Sequence, residues 1–141
     1  MSIARAWCLV LVTLVVAGCG NRARITPVSG VVTLDGKPLA NAHVAFQPEA
    51  KSGTQTGGAG SYGMTDSNGA YSLRMTDTDE AGAVVSKHRV AINYVTQSDD
   101  SDPAERPPPK KLPIKYNENS ELTFDVVAGN ANQANFDLKS K

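Results

Sequence analysis

His43 and His88 are the only histidines in this 141-residue chain, and with three acidic groupings they are its candidates for moving protons or holding a metal. A hydrolytic site would need the two rings converged with each other or with an arginine, and with a carboxylate. His43 falls on the outward parity of its apolar run and His88 near the start of another, so they make a weak pair. Asp66-Ser67-Asn68-Gly69 offers oxygen ligands, Asp77, Asp79 and Glu80 follow the next run, and Asp99, Asp100 and Asp102 form a further cluster. Calcium takes about six to eight converging oxygens, and the spacing of a calcium-binding helix–loop–helix is absent. Asp66 to Gly69 reads better as a hairpin turn whose glycine takes positive φ, and the other acids as solvated. No serine elbow, phosphate-cradling glycine loop or metal-spaced Cys/His set is present. Neither a metal nor a cofactor is expected.

The other chemistry lies in a thiol. Cys19 ends Leu14-Val15-Val16-Ala17-Gly18-Cys19, behind a segment with one positive charge, Arg5, and an apolar stretch from Ala6 to Ala17 broken only by Thr13. A basic start, a core too short to span a bilayer and small residues at the cut describe an export signal. A cysteine just after the cut turns it into a lipidation signal. The segment resembles the lipobox of bacterial lipoproteins, which implies a signal peptide over 1–18, acyl chains on Cys19 and a lipid bilayer as first partner. Acyl chains contribute ~0.8 kcal/mol per buried methylene, and more than one makes release very slow. The tether is 19–25. Gly20 to Ile25 reach about 20 Å when extended, so the domain stays near its membrane. Arg22 and Arg24 add weak attraction for anionic headgroups. Gly20 is not the Asp that retains such lipoproteins at an inner membrane, which points to the outer membrane.

Removing the signal takes Arg5 with it, leaving 13 basic residues against 14 acidic ones. That balance argues against a nucleic-acid partner, which would need a basic patch. Cys8 and Trp7 also leave, so the exported domain has no disulfide and no tryptophan. The remaining chain suffices for one domain burying about two-thirds of its unfolded surface.

Along 26–139 the apolar period is two. Val28, Val32 and Leu34 alternate with Ser29, Val31 and Thr33; Val44 and Phe46 with His43, Ala45 and Gln47; Tyr71, Leu73 and Met75 with Ser72 and Arg74. Val90, Ile92 and Tyr94 follow, then Leu112, Ile114 and Tyr116, then Leu122, Phe124 and Val126, then Ala134, Phe136 and Leu138. Each set reads as a half-buried strand. Turn residues separate them at Asp35-Gly36-Lys37-Pro38, Asp66 to Gly69 and Gly129-Asn130. The spacing predicts an all-β domain of seven to eight antiparallel strands, with one helical turn at most, over Thr78 to Val85.

Two segments break the alternation. Ala50 to Gly63 holds five glycines and reads as a mobile loop. Gln97 to Lys111 begins acidic and ends Pro107-Pro108-Pro109-Lys110-Lys111, a stiff projection suited to binding an envelope protein. Glycan binding is the main rival, by stacking of sugar faces on an exposed aromatic. Tyr71, Tyr94, Tyr116, Phe46, Phe124 and Phe136 fall on inward parities, which leaves Tyr62 in the glycine-rich loop as the candidate.

Val31-Val32-Thr33-Leu34-Asp35-Gly36-Lys37-Pro38-Leu39-Ala40-Asn41-Ala42-His43-Val44-Ala45-Phe46 resembles the opening of carboxypeptidase regulatory-like domains, and Thr65-Asp66-Ser67-Asn68-Gly69-Ala70-Tyr71-Ser72-Leu73 their second signature. The ending, from Lys115-Tyr116 to Asn135-Phe136-Asp137-Leu138, is similar to that of small bacterial lipoproteins carrying one such domain. The resemblance implies a transthyretin-like (prealbumin-like) sandwich acting as an accessory binding or structural module, and it implies no chemistry. The same fold supports a purine-degradation hydrolase, but that enzyme needs more histidines and a C-terminal Tyr-Arg-Gly-Ser, whereas this chain ends Phe136-Asp137-Leu138-Lys139-Ser140-Lys141. A divergent hydrolase around His43 and His88 is the remaining alternative.

Overall fold

The computed structural model describes residues 24–50, 57–94 and 112–141. Within them lie twelve short strands: β1 (Ile25–Thr26), β2 (Val28–Leu34), β3 (Lys37–Pro38), β4 (Ala42–Pro48), β5 (Ser61–Met64), β6 (Ala70–Ser72), β7 (Arg74–Met75), β8 (Ala83–Val84), β9 (Lys87–Tyr94), β10 (Thr123–Asp125), β11 (Asn132–Gln133) and β12 (Phe136–Leu138). The protein is all-β, and most of its strand pairs are antiparallel.

One sheet runs β10-β9-β4-β5-β7, with β4 and β9 at its centre in register from Ala42↔Tyr94 to Pro48↔His88. The second is built around β2, which pairs with β3 and β6 and also with β11 and β12. The last two pairings are parallel, so the C-terminal segment departs from the all-antiparallel expectation. It reaches β2 from the distant end of the chain and lies alongside it from Asn132↔Val28 to Leu138↔Leu34. A small ribbon, β1 with β8, completes the structure.

Inward residues of both sheets form one core. Val28, Val32, Phe136 and Leu138 come from the β2 sheet, and Val44, Phe46, Val90 and Ile92 from the other. Phe46 sits among rings, with centroids 5.9 Å from Phe124 and 6.2 Å from Phe136, both in edge-on contact. Tyr71 is buried, and its hydroxyl donates to the Ala134 carbonyl at 2.6 Å. The turn chemistry also follows the sequence. Asp35 and Gly36 both take positive φ, 51° and 79°, which closes the β2–β3 hairpin with the twist its strands need.

Further expectations need correction. Tyr71 to Met75 is not one strand: β6 pairs with β2 and β7 with β5, so the chain changes sheets at Leu73 while keeping its inward parity. Leu112 to Tyr116 is not a strand either. Pro113 has no N–H to give a ladder, and Ile114–Tyr116 instead forms a single 3-10 turn closed by Tyr116 N–H to the Pro113 carbonyl at 3.0 Å. Ile114, on the supposed inward parity, is 62% exposed. Thr78 to Val85 holds no helical turn, since Gly82 takes a φ of 121° and Ala83–Val84 pairs with β1. Finally, Phe124 and Tyr94 are only partly buried, at the margin of the core.

The fold has two poles. Arg24 and β1 lie at the first, beside β8 and the start of β9, where the Val85 N–H donates to the Arg24 carbonyl at 2.8 Å. β9 then runs to the opposite pole, where Tyr94 stands beside Ala42. Tyr116 belongs to that second pole, its hydroxyl accepting from the Lys139 N–H at 3.0 Å, next to the end of β12.

Candidate functional site

The outer face of the β10-β9-β4-β5-β7 sheet carries the best candidate surface. Strand periodicity sends Tyr62 and Met64 of β5 outward, and the register sets them opposite Ala45 and His43 of β4. Tyr62 thus stands on a strand, not in the glycine-rich loop where the sequence placed it. Its ring is 37% exposed and stacks on the His43 imidazole, with centroids 6.0 Å apart and planes 16° apart. Met64 is 46% exposed and Val31 39% exposed, and both line a shallow groove of about 510 Å³ that continues from this face. Ser29, Ser72, Asp66 and Gln133 supply its polar groups. An exposed ring beside an apolar and hydroxyl-bearing groove can bind a ligand by stacking and hydrogen bonding.

The charged neighbours of this face are already engaged. Arg74, opposite Tyr62, grips the Asp79 carboxylate with two hydrogen bonds, Nε to Oδ1 at 2.6 Å and Nη2 to Oδ2 at 2.7 Å. The guanidinium holds the Asp79 carboxyl below the usual carboxylate range. Asp66 is committed to its turn, with Oδ1 accepting from the N–H groups of Asn68 at 2.8 Å and Ala70 at 2.9 Å. Gly69 takes the positive φ, 73°, expected of that hairpin. Among the described residues, no group of three or more His, Cys, Asp or Glu side chains is placed to hold a metal ion.

The two histidines do not converge. His43 is on the outer face toward one end of β4, whereas His88 points into the core opposite Pro48 at the other end. His88 is fully buried, its Nε2 lying 2.7 Å from the Val84 carbonyl oxygen and 3.1 Å from Ser86 Oγ. A carbonyl can only accept, so Nε2 carries a proton, and a buried Nδ1 with no acceptor facing it among the described residues favours the neutral ring. Burial pushes its pKa down, against a smaller opposing effect of the Val84 hydrogen bond. The fold therefore does not bring His43 and His88 together.

A second groove, of about 440 Å³, lies at the first pole. Ile25, Met75 and Val84 give it an apolar floor, with Asp77 and Glu80 at its rim. Cys19, Pro107, Pro108, Pro109, Lys110, Lys111 and the acids Asp99, Asp100 and Asp102 lie outside the described residues. The residues flanking that second segment, Tyr94 and Leu112, are described; Tyr94 is at the pole opposite Arg24, and the Leu112 carbonyl accepts from Asn117 just after the 3-10 turn.

Sequence reasoning found Tyr62 but missed its companions. Ser61-Tyr62-Gly63-Met64 alternates like a strand, and reading it so would have put Tyr62 and Met64 on one exposed face. The glycines on either side obscured that signal. Comparison of the chain with family models, with curated proteins and with solved structures finds no match.

Proposed function

We propose that this chain is an exported lipoprotein, held in the cell envelope by acylated Cys19, whose single domain is a non-catalytic binding or structural module. In this reading residues 1–18 are the signal peptide, 19–25 the tether, and 26–139 a transthyretin-like sandwich of the carboxypeptidase regulatory-like kind. The observation that carries it is the order of the N-terminal segment: basic start, short apolar run, small residues, cysteine, and then almost at once the first strand.

The polarity of the domain supports the reading. The tether joins one pole, and the strand leading to the proline-rich segment ends at the other, away from the bilayer. In this reading an envelope protein binds through Pro107 to Lys111. The test is fractionation. Wild type should partition with detergent-extractable membranes, while Cys19→Ser should be soluble or remain as uncleaved precursor. A variant that still fractionates like wild type would refute the anchor.

Glycan binding is the second reading, favoured by the exposed Tyr62 ring and its stacking partner His43. A sugar face would lie on the ring, with the groove hydroxyls and the Gln133 amide orienting it. A glycan-array signal lost in Tyr62→Ala would support it, and an array without signal would leave protein contacts as the function.

A further inference from the structure

His88 is the one buried titratable group whose ring has an unused nitrogen. Its Nδ1 is fully buried and has no hydrogen-bond partner among the described residues, while Nε2 serves the Val84 carbonyl. Among the described residues, no carboxylate is hydrogen-bonded to the ring. Phe46 packs against it at 5.7 Å between centroids, and its cross-strand neighbours are Pro48 on β4 and Phe124 on β10. The charged residues around it, Lys87 and Arg89 on its own strand, Glu49 after β4 and Asp125 on β10, are all exposed, and Lys87 pairs with Glu49 at 3.8 Å. On the core side, the Tyr71 hydroxyl is already spent on Ala134. A proton added to Nδ1 would create a buried cation with neither acceptor nor counter-ion.

The carbonyl that His88 holds belongs to the ribbon at the tether pole. Val84 pairs with Ile25, and the next N–H, that of Val85, donates to the Arg24 carbonyl. A two-stranded ribbon has little stability of its own and depends on what fastens it. We propose that His88 is an acid-sensitive latch: neutral, it clamps Val84 and keeps β1 on β8; charged, it leaves its pocket for water and the ribbon opens.

The sign follows from linkage. A histidine in water takes its proton near pH 6.5, and the latched ring takes it only at lower pH because burial disfavours the charge. The latch is therefore fully closed above about pH 6.5. Below that pH, the open state gains up to about tenfold per pH unit. If the tether reading holds, release of Ile25 and Thr26 adds roughly 7 Å of reach, at about 3.3 Å per residue. The latch itself does not depend on that reading.

The test is amide hydrogen exchange on the full-length chain in detergent micelles between pH 7.5 and 5, corrected for intrinsic exchange rates. The opening constant at Val85 should rise below pH 6.5, by up to about tenfold per pH unit, while that at Val44 in the sheet centre stays level. In His88→Phe, Val85 opening should be independent of pH. Should that variant fail to fold, the wild-type His88 ring, followed by carbon-13 NMR, should become charged only in step with Val85 opening. A pH-independent Val85 in wild type, the same slope in His88→Phe, or a His88 ring that charges while Val85 stays protected would each overturn the latch.

Discussion

The Tyr71 hydroxyl donates to the Ala134 carbonyl at 2.6 Å, and this bond fastens the C-terminal segment to a strand that precedes it by 63 positions. Gly30 makes the approach feasible. A Cβ at that position would lie 1.9 Å from the Ala134 oxygen and 3.1 Å from the Tyr71 ring. The parallel addition of β11 and β12 to β2 therefore depends on a ring, a carbonyl and a missing side chain.

Tyr71→Phe should destabilise the domain by about 1–3 kcal/mol, since it leaves a buried carbonyl without its donor. The same substitution should change the alkaline limit of stability. Burial raises the Tyr71 pKa well above 10, so the folded state keeps a proton that the unfolded state loses above about pH 10. Stability should then fall with rising pH in wild type, by up to about 1.4 kcal/mol per pH unit from this residue, and less steeply in Tyr71→Phe. Urea unfolding at pH 7, 10 and 11 measures both effects.

Gly30→Ala should cost about 1–3 kcal/mol or more, the usual range for overpacking a filled site. Its signature should be local, with faster amide exchange at Ala134, whose N–H donates to the Ser29 carbonyl at 2.8 Å. Unchanged protection there would mean that the C-terminal segment does not lie against Gly30.

Phe46→Ala should cost about 3–5 kcal/mol, because the ring is 1% exposed and its removal leaves a cavity between Phe124, Phe136 and His88. Phe124→Ala should cost less, because Phe124 is only partly buried on β10. Equal losses at the two positions, measured by chemical denaturation, would contradict that ranking.

Much of this core could be read from the alternation of residues alone. Val32, Val44, Phe46, Leu73, Val90, Ile92 and Leu138 are nearly or fully buried where period two put them inside, and Asp35-Gly36 and Asn68-Gly69 form the turns their chemistry predicts. What period two does not encode is the partner of each strand. Leu73 keeps its inward parity while its neighbours β6 and β7 join different sheets, and a one-dimensional pattern cannot register such a crossing. Ile114 falls on the inward parity, but Pro113 has no N–H for a ladder and ends the alternation there. At the candidate site Tyr62 was legible as a spare aromatic, but its pairing with His43 depends on the β4–β5 register, which no local feature specifies.

Tyr62→Ala should leave stability within about 0.5 kcal/mol of wild type, as is usual for surface positions. If the outer face is the contact surface, the same variant should lose capture of glycans or envelope partners on crosslinking in native envelopes. Replacing Pro107 to Pro109 with Gly-Ser-Gly should leave the β-sheet circular dichroism unchanged, and loss of capture there instead would move the contact to the proline-rich segment.

Metabolic labelling with palmitate tests the lipid anchor most directly. Wild-type protein should carry the label, and its mass should correspond to a chain beginning at Cys19 with acyl groups attached; Cys19→Ser should carry none. An unlabelled wild type that begins elsewhere, or equal label in the variant, would contradict the assignment of this chain as a lipoprotein.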